Sequence, residues 1–581
     1  MHLNQRQTTR RLTVLAQDPD VLNNGQAVTT KVVVPNEPLF PGPRGSRIEV
    51  VDYDVSADAF YGPFEIPPDS DPYDGKTDIE ELVADPAFHA QNVYGVVAST
   101  LFEFERSLGR HLSWGFNYSS HQLKVFPHAF VDANAFYSKY DECLAFGYFP
   151  IRGPGSERVY TCLSHDIVAH ETTHALIDSL RSQLMRPSSD DQAAFHEGFS
   201  DIVALLKTLQ NEELVRFGVR KELRISKAGT VSVTDALLAI KKGSFLLGVA
   251  AQLGRAVIGM GRDALRRSID LSPDPQHYLG NDFREAHDRG EILVAAVMHA
   301  YLRVWEKRLG GKLKNENGPM LSDRVAAWRV EEEGSKAARH LLQIFIRALD
   351  YLPPVHVDFG DFLSAVLTAD WQLCPEDKPY GYRAILMECF AEFGINPTST
   401  ATGPEPGVWG TGTGDKEIRF VAGNMESMRW NPESIFRLIW ENYDVLDIPR
   451  DIFMRVNSVR PVQRIGPDGF MLRETVAEYY QLNKKADKAD LRKLDIEVPG
   501  FMGDSDTVEL VGGGTLIFDE YGRLKFHIHN RISNAKDQHN RLMSLWRRGG
   551  LRPPNKGALH FADLHSRRGN GEPTFKSEVW D

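Results

Sequence analysis

Residues 164–177, SHDIVAHETTHALI, decide how the rest of this 581-residue chain is read. His170 and His174 are four apart, so on an α-helix they project from one face about one turn apart. Both imidazoles then reach a single metal ion, and Glu171 between them reaches the ion's open side. The flanks support a helix. Ser164 fits an N-cap, Asp166 places a carboxylate in the first turn, and Ile167, Val168, Ala175, Leu176 and Ile177 supply an apolar lining with no Pro or Gly before Pro187. The bare pattern also suits a surface helix carrying two solvated histidines.

The second helix, Gln192 to Leu206, reads QAAFHEGFSDIVALL. Glu197 and Asp201 are four apart and share a face, far enough beyond His174 for a turn and an antiparallel return. Two neutral imidazoles plus Glu197 make a three-ligand zinc site with the fourth position left for water. Asp201 can accept the N–H of His170 and fix its tautomer. An exposed helical carboxylate is the plainer reading of Glu197, but its apolar surroundings argue for burial, and a buried carboxylate needs a partner.

HETTH followed by HEGFSD resembles the gluzincin metallopeptidases, and among them the thermolysin-like endopeptidases. The resemblance implies His170, His174 and Glu197 as zinc ligands, Glu171 as general base and Asp201 behind His170. Upstream, Asn134-Ala135-Phe136-Tyr137 resembles the family's edge strand, where the Asn side chain and the next carbonyl grip an extended peptide by β-addition. Downstream, Asp282-Phe-Arg-Glu-Ala-His287 resembles the family's pair in which the His stabilises an oxyanion and the Asp orients it. Arg266, or Arg267 if the register moves by one, resembles the arginine that binds a substrate carbonyl, and SPDPQHY, 272–278, continues the likeness. Leu265 and Ile167 resemble walls of the pocket for the residue after the cleaved bond, which implies an apolar preference there.

The chain departs from the family at three points. Between His174 and Glu197 the family has a tyrosine that assists the oxyanion, and the segment Ala175 to His196 contains none. Loss of one such donor costs on the order of a hundredfold in rate. Asp166 matches the family's first calcium carboxylate, but the stretch after Asp201 lacks the acidic spacing, so no calcium is expected. The family is typically exported with a long propeptide, whereas here only about 80 residues precede the first matching helix.

The composition, 42% hydrophobic and 25% charged, is that of a globular protein, with no apolar run of the roughly 18 residues that a membrane helix needs. No signal peptide is visible at the N-terminus, and four scattered cysteines make no disulfide framework. A cytoplasmic protein is expected, unless it leaves by a route the sequence does not display. Net charge is −12, yet 521–581 carries 12 Lys and Arg against 5 Asp and Glu. Without interleaved aromatics, that basic tail makes nucleic acid an unlikely partner and a solvated or folded-back segment the simpler reading.

The expected fold class is α+β, and the resemblance implies a two-lobed peptidase over about 86–396. Residues 1–80 read as an N-terminal arm or small β unit. Residues 81–181 read as an α/β lobe with a helix from Pro86 to Arg110, the edge strand and the zinc helix, and 182–396 as a mainly helical lobe. Residues 397–417, rich in Pro, Gly, Ser and Thr, read as a linker, and 418–581 as a separate C-terminal α/β module. In that module GTLIFDEYGRLKFHIHNRI reads as a hairpin whose Lys525, His527 and His529 form a solvated face. Gly423-Asn-Met-Glu-Ser427 mimics an aminopeptidase motif but follows the zinc helix instead of preceding it, and is set aside. His299 reads as a core histidine.

The function implied is a zinc-dependent endopeptidase acting on peptide or protein substrates, with a protein partner possible for the C-terminal module. The alternatives are a protease fold that has lost turnover and holds a partner, or a gluzincin exopeptidase.

Overall fold

The computed structural model describes residues 8–54, 56–116, 121–150, 158–186, 188–223, 225–227, 229–242, 270–280, 282–311, 324–378, 380–410, 417–420, 425–466 and 469–547. The chain is a mixture of helix and strand, as expected for the α+β class. Among the described residues no helix is long and apolar enough to cross a membrane.

The N-terminal part is built on a long helix, α1 (Pro86–Leu108). It starts on the Asp85 side chain, has Pro at its first position, and ends at Gly109, whose left-handed φ of 70° closes the helix without a Cβ clash. One face receives the antiparallel pair β1 (Thr9–Leu15) and β2 (Thr29–Pro35). Gly95 allows that close approach, since a Cβ there would come within 2.8 Å of Val14. A five-stranded sheet follows. Strand β4 (Leu123–Val131) lies parallel to β3 (Ile48–Val50) and to β6 (Cys143–Pro150), while β5 (Ala135–Ser138) and β7 (Arg158–Tyr160) pair antiparallel with β6. Among the described residues β5 pairs with β6 alone, so its other side is an edge.

Helix α2 (His165–Leu180) crosses beneath that edge, and α3 (Asp190–Leu209) returns against it. The helices α4 (Ala286–Gly311), α5 (Ala327–Ala348), α6 (Phe359–Leu373) and α7 (Tyr382–Glu392) complete one continuous hydrophobic core. The segment expected as a linker behaves differently over 397–410. Val408 and Trp409 are buried in the main core, and the Trp409 backbone N–H donates to the Thr368 hydroxyl on α6 at 2.9 Å. The Gly407 φ of 76° lets the chain turn inward so that this apolar pair reaches α6.

Beyond it, β8 (Phe453–Ile465), β9 (Met471–Ala486), β10 (Val508–Phe518) and β11 (Leu524–Asn530) form an antiparallel sheet in that order. This sheet does not stand apart. Val462, Val476, Ile517, Phe526 and Ile528 join the main core, while the helix Pro432–Glu441 covers the other face. The hairpin forms where expected, but its histidine face is not solvated. His527 is 3% exposed and pairs with the Tyr479 hydroxyl at 2.9 Å. A bulge opposite Ile517 and Phe518 breaks the alternation, so Leu524 packs with Tyr479 while Lys525 lies on the other face and reaches Glu474 at 2.6 Å. A sheet covered on both faces leaves no solvent side for alternation to mark.

Buried ion pairs run along the seam. Asp350 accepts from Arg110 at 2.6 Å and from Arg464 of β8, whose guanidinium also meets Glu474 at 3.1 Å. Arg181, at the end of α2, pairs with Glu478 of β9 at 2.8 Å.

Candidate metal centre

Helix α2 is held at both ends by distant parts of the chain. At its start the Ser164 hydroxyl bonds the side chains of Asp18 and Asp166 and makes no bond to the helix backbone. The His165 N–H donates to the Gln17 carbonyl at 3.0 Å, and His165 Nδ1 meets the Leu15 carbonyl at 3.0 Å. At its far end Arg460 of β8 donates to the Leu180 carbonyl at 3.0 Å, so a cation faces the negative end of the helix dipole.

Between those anchors, His170 and His174 face Glu197 of α3. One ligand atom from each lies within 4.8 Å of the others, and His174 and Glu197 are fully buried. Glu197 Oε2 is 3.5 Å from His170 Nε2, 3.7 Å from His174 Nε2 and 3.3 Å from His287 Nε2. Three imidazoles from two helices therefore converge on one carboxylate oxygen.

The outer nitrogens are each assigned a partner. His170 Nδ1 meets Asp201 at 2.8 Å, and since a carboxylate only accepts, Nδ1 carries a proton and Nε2 is the nitrogen turned inward toward Glu197. His174 Nδ1 faces His196 Nδ1 at 2.8 Å and the Ser200 hydroxyl at 3.2 Å. Neither His196 nor Ser200 was expected at the site. Their signal in the sequence is the i, i+4 spacing that stacks Ser200 above His196 on the face carrying Glu197's neighbours.

Electrostatics follow from burial and these partners. Burial by itself would lower His170, but the charge and hydrogen bond of Asp201, with Glu197 behind, hold it well above the ordinary histidine value. Burial would raise Glu197, yet His287 and His174 bring it well below the usual carboxylate range. Burial takes His196 down to about 4, so it stays neutral as a partner for His174.

Glu171 is 3% exposed, and its Oε2 accepts the Tyr137 backbone N–H of β5 at 2.9 Å. A strand residue sends its N–H and C=O to the same side, and residues two apart agree. Ala135 therefore turns its carbonyl to the edge that faces α2. Asn134, 7% exposed, precedes it, and its own carbonyl accepts from the Gly147 N–H at 2.9 Å.

The expected pairing of Asp282 with His287 is not formed. Asp282 is exposed, and the carboxylate on His287 is that of Glu285, with Oε1 at 3.0 Å from Nδ1. Glu285 precedes the first turn of α4, and its Oε2 also accepts the backbone N–H groups of His287 and Asp288 at 2.9 and 3.0 Å. A carboxylate at a helix start is drawn to those unpaired amides, and this seats it beside the His two residues on. Arg266, Leu265 and Arg267 lie outside the described residues. No family model matches this chain, and no curated protein does.

Proposed function

We propose that the chain is a zinc-dependent endopeptidase of the thermolysin-like kind, with a two-lobed catalytic body. The observation that carries this reading is the meeting of His170, His174 and Glu197 with Glu171 and His287 alongside. The donor set suits zinc: two imidazole nitrogens, one carboxylate oxygen, and a fourth position left over. Ligands on a tetrahedral zinc with bonds of about 2.1 Å stand about 3.4 Å apart. The separations of 3.5 and 3.7 Å from Glu197 are close to that figure and long for hydrogen bonds.

Bound there, zinc supplies Lewis acidity toward a water and toward a peptide carbonyl. The side chains do the rest. Asp201 keeps the His170 proton on Nδ1, which preserves Nε2 as a ligand. Glu171, steadied by the Tyr137 N–H, takes a proton from the attacking water and passes it to the leaving amine. His287 has carboxylate oxygens near both nitrogens, an arrangement satisfied by a ring protonated on both. Such a ring donates to the oxygen on which negative charge develops. The Ala135 carbonyl and the Asn134 side chain offer an extended peptide its backbone contacts.

The test is hydrolysis of an unbiased peptide mixture by the wild type and by Glu171→Gln, with zinc content measured for both. Internal cleavages should fall by roughly 10²–10⁴-fold in the variant while zinc stays bound. A zinc-loaded wild type that cleaves nothing would point instead to a protein that holds its partner, and cleavage needing an unblocked amino terminus would point to an exopeptidase.

A further inference from the structure

A second cluster of metal-binding side chains, sharing no ligand with the first, lies in the N-terminal part. His89 of α1, His128 of β4 and Cys162, in the short turn before α2, bring one ligand atom each within 4.8 Å of one another. All three are buried, at 2%, 4% and 0% exposure. His89 Nδ1 is 2.8 Å from His128 Nε2 and 3.9 Å from the Cys162 sulfur.

The outer nitrogens settle what the inner ones present. His89 Nε2 lies 3.0 Å from the Val83 carbonyl, which only accepts, so that nitrogen carries a proton. His128 Nδ1 lies 2.7 Å from Asp52 Oδ1, which assigns the second proton in the same way. In neutral rings the two inner nitrogens then confront each other with lone pairs at hydrogen-bond distance. Something positive has to stand between them.

The surroundings call for the same thing. Asp52 is 5% exposed, and its Oδ2 is buried with no hydrogen-bond partner among the described residues. A buried carboxylate with one neutral imidazole for company is costly, and a dication nearby offsets that cost. The Tyr160 ring packs against both histidines, at 4.7 and 5.4 Å between centroids. Each imidazole also has the outer partner typical of metal ligands, one a carboxylate and one a backbone carbonyl.

We propose that His89, His128 and Cys162 form a second metal site for a zinc-class divalent ion, with Asp52 as the carboxylate behind His128. Nitrogen and sulfur ligands on a tetrahedral zinc stand about 3.6 Å apart and two nitrogens about 3.4 Å. The Cys162 sulfur, 3.9 Å from His89 Nδ1, is already near that geometry and would give up its proton to the ion's binding, and the rings need to part by about half an ångström. The site would tie α1, β4 and the approach to α2 together, with Cys162 on the turn that delivers His165 and then His170. Three side chains leave the fourth position of such an ion to a further ligand, and the site does not depend on the peptidase reading. A proton shared by the two rings is the competing occupant.

The experiment is cobalt reconstitution of the full chain. Two equivalents should bind, with a thiolate-to-cobalt charge-transfer band in the near ultraviolet, because the His170–His174–Glu197 set contains no sulfur. His170→Ala/His174→Ala should keep one equivalent and the whole band. Adding Cys162→Ala should remove both, whereas Cys374→Ser, at the exposed cysteine, should change neither. The band is read on the unmodified protein, so a Cys162 variant that fails to fold does not shelter the proposal. Cobalt-loaded wild type without the band would overturn it in favour of the shared proton. A band that vanishes with Cys374→Ser, or survives Cys162→Ala, would overturn it too.

Discussion

His287 has a carboxylate near each ring nitrogen, Glu285 at 3.0 Å and Glu197 at 3.3 Å. That makes Glu285, and not Asp282, the residue whose loss should disorient the ring. Glu285→Gln can keep accepting the backbone amides of α4 but removes the charge that favours a proton on Nδ1. On the proposed peptidase reading, kcat should fall by roughly ten- to a hundredfold with KM little changed. Asp282→Asn, at an exposed carboxylate, should leave kcat within about twofold. Steady-state kinetics on one peptide decides between them, and equal losses in the two variants would refute the assignment.

At the scale of elements, the crossing of α3 and α4 sets the distance between Glu197 and His287. The helices meet backbone to backbone at Gly198 and Gly290: a Cβ on Gly198 would come within 3.0 Å of the Gly290 oxygen, and one on Gly290 within 3.1 Å of the Gly198 nitrogen. Each glycine costs its helix about 1 kcal/mol relative to Ala, a cost that the close approach explains. Gly198 follows Glu197 directly, so a side chain there pushes α4 and His287 away from the candidate centre. Gly198→Val should destabilise by about 1–3 kcal/mol in denaturant titrations. It should also weaken zinc binding, which a competing chelator measures. A variant of full stability and unchanged zinc affinity would refute the argument.

At the scale of the whole molecule, the N-terminal strands and the C-terminal sheet hold opposite ends of α2, the first through Ser164 and His165 and the second through Arg181 and Arg460. The C-terminal sheet is joined to the helical core by buried ion pairs centred on Asp350. Breaking such a network by removing one partner strands a buried charge, so Arg464→Met should cost about 3–5 kcal/mol at neutral pH. Burial alone would raise the Asp350 pKa, but Arg110 and Arg464 hold it well below the usual range. A depressed carboxylate contributes stability that is complete above its unfolded value, about 4, and is lost as pH falls through the folded value. The deficit of Asp350→Asn should therefore be full at pH 7 and shrink below about pH 4. Denaturation curves at both pH values test this, and a deficit that grows in acid would contradict it.

The four-residue spacings of His170 with His174 and of Glu197 with Asp201 were legible in the sequence, because helical geometry alone puts such residues on one face. The same local logic revealed the hairpin at 519–522 and the apolar faces of the long helices. What lay beyond it was set by contacts between segments far apart in the chain. Asp282 and Glu285 are equally plausible neighbours of His287 on paper, and only the start of α4 decides which one turns toward the ring. The histidine face of β11 read as solvated because the cover of His527, the Tyr479 hydroxyl, comes from another strand. His89, His128 and Cys162 belong to a helix, a strand and a turn, with no spacing that links them until the sheet and helices pack. Periodicity reports which residues share a face of one element, whereas packing decides which faces meet.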